Sequence, residues 1–340
     1  MAKSVTLESQ TKKIRAWMLG LHGTYALDIG GRIGAFQALR ELGGKATSQD
    51  LAKHLALDPR QVHAFCMMAT TLGIFKEEKR LFSFAPYMDE ILQEDKPDLP
   101  GIHTLIEIAK DYPGYPQAFT EGTRKTFAEH DPEFFSRQIQ VASFRAPLIA
   151  GYALKHETIG PKLQQGGSIL DVGSGGGGVL FAFADVFPDA KITGIEPLTF
   201  FSEETNKSIA KKGLTQHIRV DPCPAETMEY EQEFDLITLV QVFHELPNDE
   251  KVNILKKCRA AINPGGRLVI VDRCLPDHGD TIEDRRFTMS IIEQWFEITW
   301  GNVVNTRTEI DEMLKRSGWE IVSQDERAVP TYWTFEAKAV

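Results

Sequence analysis

The chain has 340 residues, of which 42% are hydrophobic and 25% charged, and a formal net charge of −10. That length suits about two ordinary domains, and the composition excludes collagen-like, coiled-coil and wholly disordered chains. No stretch approaches the roughly 18 uncharged apolar residues of a membrane span, residues 1–15 lack the apolar core of a secretory signal, and the acidic balance argues against broad phosphate-backbone binding. In chain order, residues 1–100 read as helices with one small β element. Residues 24–42 place Ala26, Leu27, Ile33, Phe36 and Leu39 near helical spacing, interrupted by Gly30, Gly31 and Gly34. Thr47 with Asp50 forms a capping box ahead of Leu51 and Leu55. Asp58-Pro59 supplies a cap and first-turn proline for a helix to Leu72, stopped by Gly73. Residues 73–84 then read as two short strands around a charged turn, which completes the order of a winged-helix domain.

Residues 97–160 are helical and broken by Pro113 and Pro116, and 131–156 predicts one long connecting helix with room for a kink at Pro147. From residue 168 the character changes. Short β-rich runs at 168–173, 191–196, 218–222, 234–240 and 267–272 alternate with helical stretches at 201–213 and 249–262. Such alternation predicts a parallel sheet with helices on both faces. Residues 318–324 and 332–340 are two strands joined by a short polar run, so an antiparallel strand is expected at that end of the sheet. The four cysteines (Cys66, Cys223, Cys258 and Cys274) are scattered and without zinc spacing. Free thiols in a reducing cytoplasm fit that pattern.

The sharpest local feature is Asp171-Val172-Gly173-Ser174-Gly175-Gly176-Gly177-Gly178, between a predicted strand and a predicted helix. Glycines there let the backbone turn tightly and approach a ligand. The spacing of Gly173, Gly175 and Gly178, with Glu196 ending the next strand, also matches a dinucleotide fingerprint. Asp171 discriminates, because a carboxylate repels a pyrophosphate and welcomes an ammonium. S-adenosylmethionine carries an ammonium and no phosphate, and Glu196 would accept from its ribose hydroxyls.

Asp171, Gly173, Gly175, Gly177 and Glu196 together resemble the first two motifs of class I S-adenosylmethionine-dependent methyltransferases. Residues 234–272 resemble the fourth-to-fifth-strand stretch of the small-molecule O-methyltransferases, the plant caffeic-acid type and bacterial relatives, and the resemblance covers nearly the whole chain. The resemblance implies a Rossmann-like seven-stranded sheet with an antiparallel last strand, preceded by a mainly helical, winged-helix-like domain. The implied boundaries are 1–100 for dimerisation, 101–160 for a helical linker contributing to the substrate pocket, and 161–340 for the cofactor-binding catalytic domain. It implies Asp221, or Ala225 and Glu226, at the adenine, and Gln241 as a further cofactor contact. It also implies His244 as a general base, paired with Glu245 where relatives carry Asp. Relatives steady that His with a Glu just before an Arg-Thr pair; here Thr306 precedes Arg307-Thr308, and Glu293 and Glu297 are candidate substitutes. Phe243, Met289, Trp295 and Trp300 are candidates for the wall around a planar acceptor.

No acidic cluster of a metal-dependent methyltransferase follows the fourth strand, so no metal is expected. The expected partners are a small-molecule acceptor and a second copy of the chain, with Trp17, Met18 and Tyr25 as candidates to cap the partner's pocket, and neither nucleic acid nor membrane. The alternatives are an S-, N- or C-methyltransferase, favoured for a thiol by the missing carboxylate at Thr306, and a winged-helix DNA-binding regulator. For the last, the helix beginning at Pro59 offers only Arg60, Gln61 and His63 as polar reach, too little for reading a groove, and looks buried.

Overall fold

The computed structural model describes residues 5–93, 95–123, 125–326, 329 and 331–340. They divide into two compact units, residues 1–111 and 112–340.

In the first unit, helices Leu7–Arg32, Ala35–Glu41, Ser48–Leu55 and Pro59–Thr71 surround strands β1 (Lys45–Ala46), β2 (Phe75–Glu78) and β3 (Leu81–Phe84), antiparallel in the order β1-β3-β2. The Thr47 and Asp50 capping box is present, and the Asp58 carboxylate accepts from Arg60 N and Gln61 N. Gly30 and Gly31 do not interrupt the first helix, contrary to the periodicity. A Cβ on Gly30 would overlap the Phe36 ring and one on Gly31 would press on His103, so these glycines serve close packing. The break falls at Gly34, in the left-handed region at φ 73°. A helix Asp98–Ala109 completes the unit. His103 Nδ1 lies 2.6 Å from Asp28 Oδ1, and Arg32 bridges Asp28 and Glu107 at 2.9 and 2.7 Å. The helix Pro59–Thr71 is buried on one face only; its outward face shows Met67 and Met68 beside Arg60.

The second unit is built on a seven-stranded sheet. Strands β4 (Ser168–Val172), β5 (Lys191–Ile195), β6 (Ile218–Asp221), β7 (Phe234–Val240), β8 (Ile262–Asp272), β9 (Trp319–Asp325) and β10 (Trp333–Ala339) stand in the order β6-β5-β4-β7-β8-β10-β9. The first five are parallel, and β10 is antiparallel to both β8 and β9. The last strand therefore slots inside the sheet and leaves β9 at the edge. Helix-covered strands such as β4 and β7 are buried along nearly their whole length. The strand order reverses between β4 and β7, which opens a crevice at their carboxyl ends. The expected long helix over 131–156 is two helices, Pro132–Ser143 and Ala146–Lys155, broken at Phe144–Arg145 with Pro147 in the first turn of the second.

Candidate active site

The crevice between β4 and β7 gathers the glycine loop and the carboxylates that end the strands. Gly173, Gly175 and Gly177 have φ of 71°, 50° and 76°, a run that L side chains resist. A Cβ on Gly173 would overlap Val242, so the loop packs directly on the turn after β7. A Cβ on Gly175 would meet nothing within 4 Å. That open space beside a bare backbone is the cradle a ligand needs. Gly175 N donates to Glu196 Oε2 at 2.9 Å, and Leu198 N donates to Glu196 Oε1 at 2.9 Å. Each oxygen keeps a further lone pair for a ligand hydroxyl. Burial nevertheless raises the Glu196 carboxyl above its ordinary range. Asp171, the last residue but one of β4, accepts from the Thr238 hydroxyl at 2.6 Å and is pushed up to about 7 by burial, with Thr238 opposing and Glu196 adding repulsion. An ammonium placed there would draw the proton off and pair with the carboxylate. The residues thus fit the amino-acid and ribose parts of S-adenosylmethionine.

At the next strand end, Asp221 Oδ2 accepts from the Tyr230 hydroxyl at 2.6 Å and faces Arg219 Nε at 3.5 Å. Ala225 is buried in the core beneath this loop and Glu226 is half-buried. Gln241 holds φ 56°, and its Oε1 accepts from Tyr332 OH at 2.7 Å and Arg145 Nη1 at 3.3 Å.

His244 sits one turn past β7. Its Nδ1 lies 2.8 Å from Asp272 Oδ1, its backbone N donates to Asp272 Oδ2 at 3.0 Å, and its Nε2 lies 3.8 Å from both Glu245 Oε1 and Glu297 Oε1. The ring is 4% exposed. Burial opposes its charged form, yet Asp272, then Glu297 and Glu293, outweigh it and hold the imidazole well above its ordinary range. Asp272 moves the other way: burial is overcome by His244 and by N–H groups of Arg273 and His244, so its carboxyl is lowered. Burial raises Glu245, Glu293 and Glu297, with His244 pulling each of them back. Glu293 is paired with Arg273 Nε at 2.6 Å, and Glu297 Oε2 accepts from Asn302 Nδ2 at 2.7 Å.

The structure therefore brings Asp171, Gly173, Gly175, Gly177, Glu196, Gln241, His244 and Glu245 to one crevice. It does not bring the four acceptor-wall candidates together. Phe243 is buried in the core, and Met289 and Trp295 are exposed, Trp295 at 50% and against Tyr115 and Phe119. Trp300 is buried among Phe127, His130, Phe134 and Phe296. Thr306 is a helix cap: its hydroxyl accepts from Glu309 N. Asp272 and Glu297 are carboxylates that stand beside the imidazole instead. Asp272 is the residue the sequence reading lacked, although it ends an apolar run just as Asp171 does. Among the described residues no group of acidic, His and Cys side chains could hold a metal ion, and no helix is long and apolar enough to cross a membrane.

Residues 142–324 match the family described as methyltransferase domain. The chain belongs to that family. It is an S-adenosylmethionine-dependent methyltransferase. Among its relatives, the 3-O-methylredipecamine 2-O-methyltransferase of Carapichea ipecacuanha is 24% identical over 82% of this chain and 81% of its own length. The aclacinomycin 10-hydroxylase of Streptomyces purpurascens is 28% identical over 46% of this chain and 40% of its own. In fold, the methyltransferase is similar to the mitomycin 7-O-methyltransferase, with a TM-score of 0.77, 16% identity and 98% of each chain covered. Human N-acetylserotonin methyltransferase in complex with S-adenosylmethionine has a TM-score of 0.76 at 14% identity, over 100% of this chain and 99% of that one.

Proposed function

We propose that this methyltransferase acts on a hydroxyl of an aromatic or planar small molecule, with His244 taking the hydroxyl proton. The supporting observation is an imidazole held through Nδ1 by Asp272 in the turn on which the glycine loop packs. Asp171 would pair with the ammonium of the cofactor and Glu196 with its ribose hydroxyls, while Gly173, Gly175 and Gly177 let the backbone approach. Asp221, Ala225 and Glu226 would border the adenine. Gln241 and the half-buried Arg145, whose guanidinium stacks on Tyr332 at 5.2 Å, would face the cofactor carboxylate. Bound S-adenosylmethionine supplies an electrophilic methyl group. The chain's own part is to aim the acceptor and remove its proton. Asp272 fixes the ring with Nε2 towards the acceptor. Glu297 and Glu293 then stabilise the imidazolium that proton transfer leaves. Glu245, beside Nε2 and partly exposed, is placed to accept from a neighbouring donor on the acceptor.

The same field keeps the resting ring protonated, so turnover should rise with pH through the raised pKa of His244. With acceptors found by screening phenols for S-adenosylhomocysteine release, His244→Gln should lower turnover about 10²–10⁴-fold. Unchanged turnover, or a rate that falls as pH rises through neutrality, removes His244 from the role. The case for a thiol acceptor lay in the carboxylate missing at Thr306. Asp272 at 2.8 Å fills that gap, and the hydroxyl reading gains by it.

The remaining assignments are part of the same reading. Residues 1–100 form the dimerisation domain; helix Leu7–Arg32 exposes Ile14, Trp17, Met18, Leu21 and Tyr25, an apolar set suited to a second copy of the chain. From the 101–160 region, the aromatic group of Phe127, Phe134 and Phe135 borders Trp300 on the acceptor side of the 161–340 catalytic domain. Four unpaired cysteines suit the cytoplasm.

A further inference from the structure

A fully buried lysine lies behind the His244 cluster. Lys251 opens helix Lys251–Ala261 and is 0% exposed. Its ammonium donates to Val303 O at 3.0 Å and Asn305 Oδ1 at 2.6 Å, and lies 5.2 Å from the centre of the Phe243 ring. The placement is unfavourable on two counts. Burial strips a strongly hydrated ion of water, and a helix N-terminus carries positive partial charge. Burial accordingly pushes the ammonium down to about 8, with Asp272 and Glu309 pulling the other way. A methionine would occupy similar space without desolvating a charge.

The segment that Lys251 grips is the one that fixes the cluster. Asn302 N donates to Glu297 O at 3.0 Å, and Asn302 Nδ2 donates to Glu297 Oε2 at 2.7 Å. Val303 N donates to His244 O at 3.1 Å, and Val304 N donates to Gln294 Oε1 at 2.7 Å. Asn305 O accepts from Leu275 N at 3.0 Å. Four successive residues thus tie the turn of His244 to the helix of Glu293 and Glu297 and to the loop beyond Asp272. The charged groups facing Lys251 are Asp272 from β8 and Glu309 from helix Arg307–Arg316. Those facing His244 are Asp272, Glu245 from its own turn, and Glu293 and Glu297 from helix Thr288–Glu297.

We infer that Lys251 is a positioning residue for methyl transfer: it clamps residues 303–305, and through them His244 against Glu297. Its catalytic meaning rests on His244 being the proton acceptor. The effect of the clamp on His244 can be read without any acceptor.

The test is the titration of His244 in the full chain carrying ring-labelled histidine, followed by nuclear magnetic resonance, with the signal assigned by its loss in His244→Gln. Releasing the clamp in Lys251→Met should let Glu297 draw back from the ring and move the His244 midpoint down by about half a unit or more, with circular dichroism unchanged. Should that variant not fold, Lys251→Gln, which keeps one shorter donor for Val303 O or Asn305 Oδ1, carries the same expectation in smaller measure. An unchanged or raised midpoint overturns the role of Lys251. Failure of the base reading would show differently, as undiminished turnover in His244→Gln alongside the lowered midpoint.

Discussion

Replacing Asp272 by Asn strikes the pair on which the cluster is built. The carboxylate is 1% exposed and accepts from His244 Nδ1 at 2.8 Å, His244 N at 3.0 Å and Arg273 N at 2.7 Å. An amide keeps the shape but accepts on one arm only, so an N–H group is left facing a donor. An unpaired buried donor costs about 1–3 kcal/mol. The imidazolium also loses its counter-charge, and breaking a buried ion pair in this way costs about 3–5 kcal/mol altogether. The pH dependence follows from two opposite shifts. The His244 pKa is raised by folding, so its contribution is complete below the unfolded value of about 6.5 and is lost as pH rises through the folded value. The Asp272 pKa is lowered, so its contribution is complete above the unfolded value of about 3.9 and is lost as pH falls through the folded value. The stability difference between wild type and variant is therefore greatest between about pH 4 and 6.5 and shrinks in alkali. Four of the five tryptophans (Trp295, Trp300, Trp319 and Trp333) lie in the second unit, so urea unfolding followed by tryptophan fluorescence reports on it. A loss of about 3–5 kcal/mol near pH 6 is expected. A loss below about 1 kcal/mol there, or one that grows towards alkaline pH, refutes the ion pair.

Two alanines in the glycine loop should behave differently. Gly173→Ala forces a left-handed residue against Val242 and should lower the melting temperature along with cofactor affinity, whereas Gly175→Ala faces open space and should weaken S-adenosylmethionine binding with the smaller stability cost. Equal effects on both properties would deny that Gly175 lines the cradle. The apolar face of helix Leu7–Arg32 predicts a homodimer at micromolar concentration; light scattering that returns the 38.1 kDa of a single chain would count against it.

Much of the cofactor half was legible because each cue is local. An acidic residue near a strand's end (Asp171), a glycine run and a carboxylate after the next strand are fixed by backbone geometry within 26 residues. The strands of the sheet were likewise marked by apolar runs, and the Thr47 cap by its spacing. The proposed proton-transfer cluster was less legible. His244, Asp272 and Glu297 stand on three elements brought together only when β8 lies beside β7, and nothing in their spacing announces that meeting. Thr306 pointed towards a lost carboxylate because the sequence does not say which strand end replaces it. Trp295 shares a helix with Glu293 and Glu297 but is half-exposed, since a short amphipathic stretch does not state which face meets the core. Gly30 and Gly31 looked like breaks because a glycine that admits a neighbouring ring cannot be told by sequence from one that turns the chain.

The central claim is that the crevice between β4 and β7 holds S-adenosylmethionine through Glu196 and the glycine loop. Calorimetric titration of the full chain with S-adenosylmethionine, S-adenosylhomocysteine and NADH, repeated on Glu196→Gln, tests it most directly. The account predicts binding of the first two and not of NADH, with affinity falling at least about tenfold, 1.4 kcal/mol, in the variant. Binding of NADH, or equal affinity in wild type and Glu196→Gln, would contradict it.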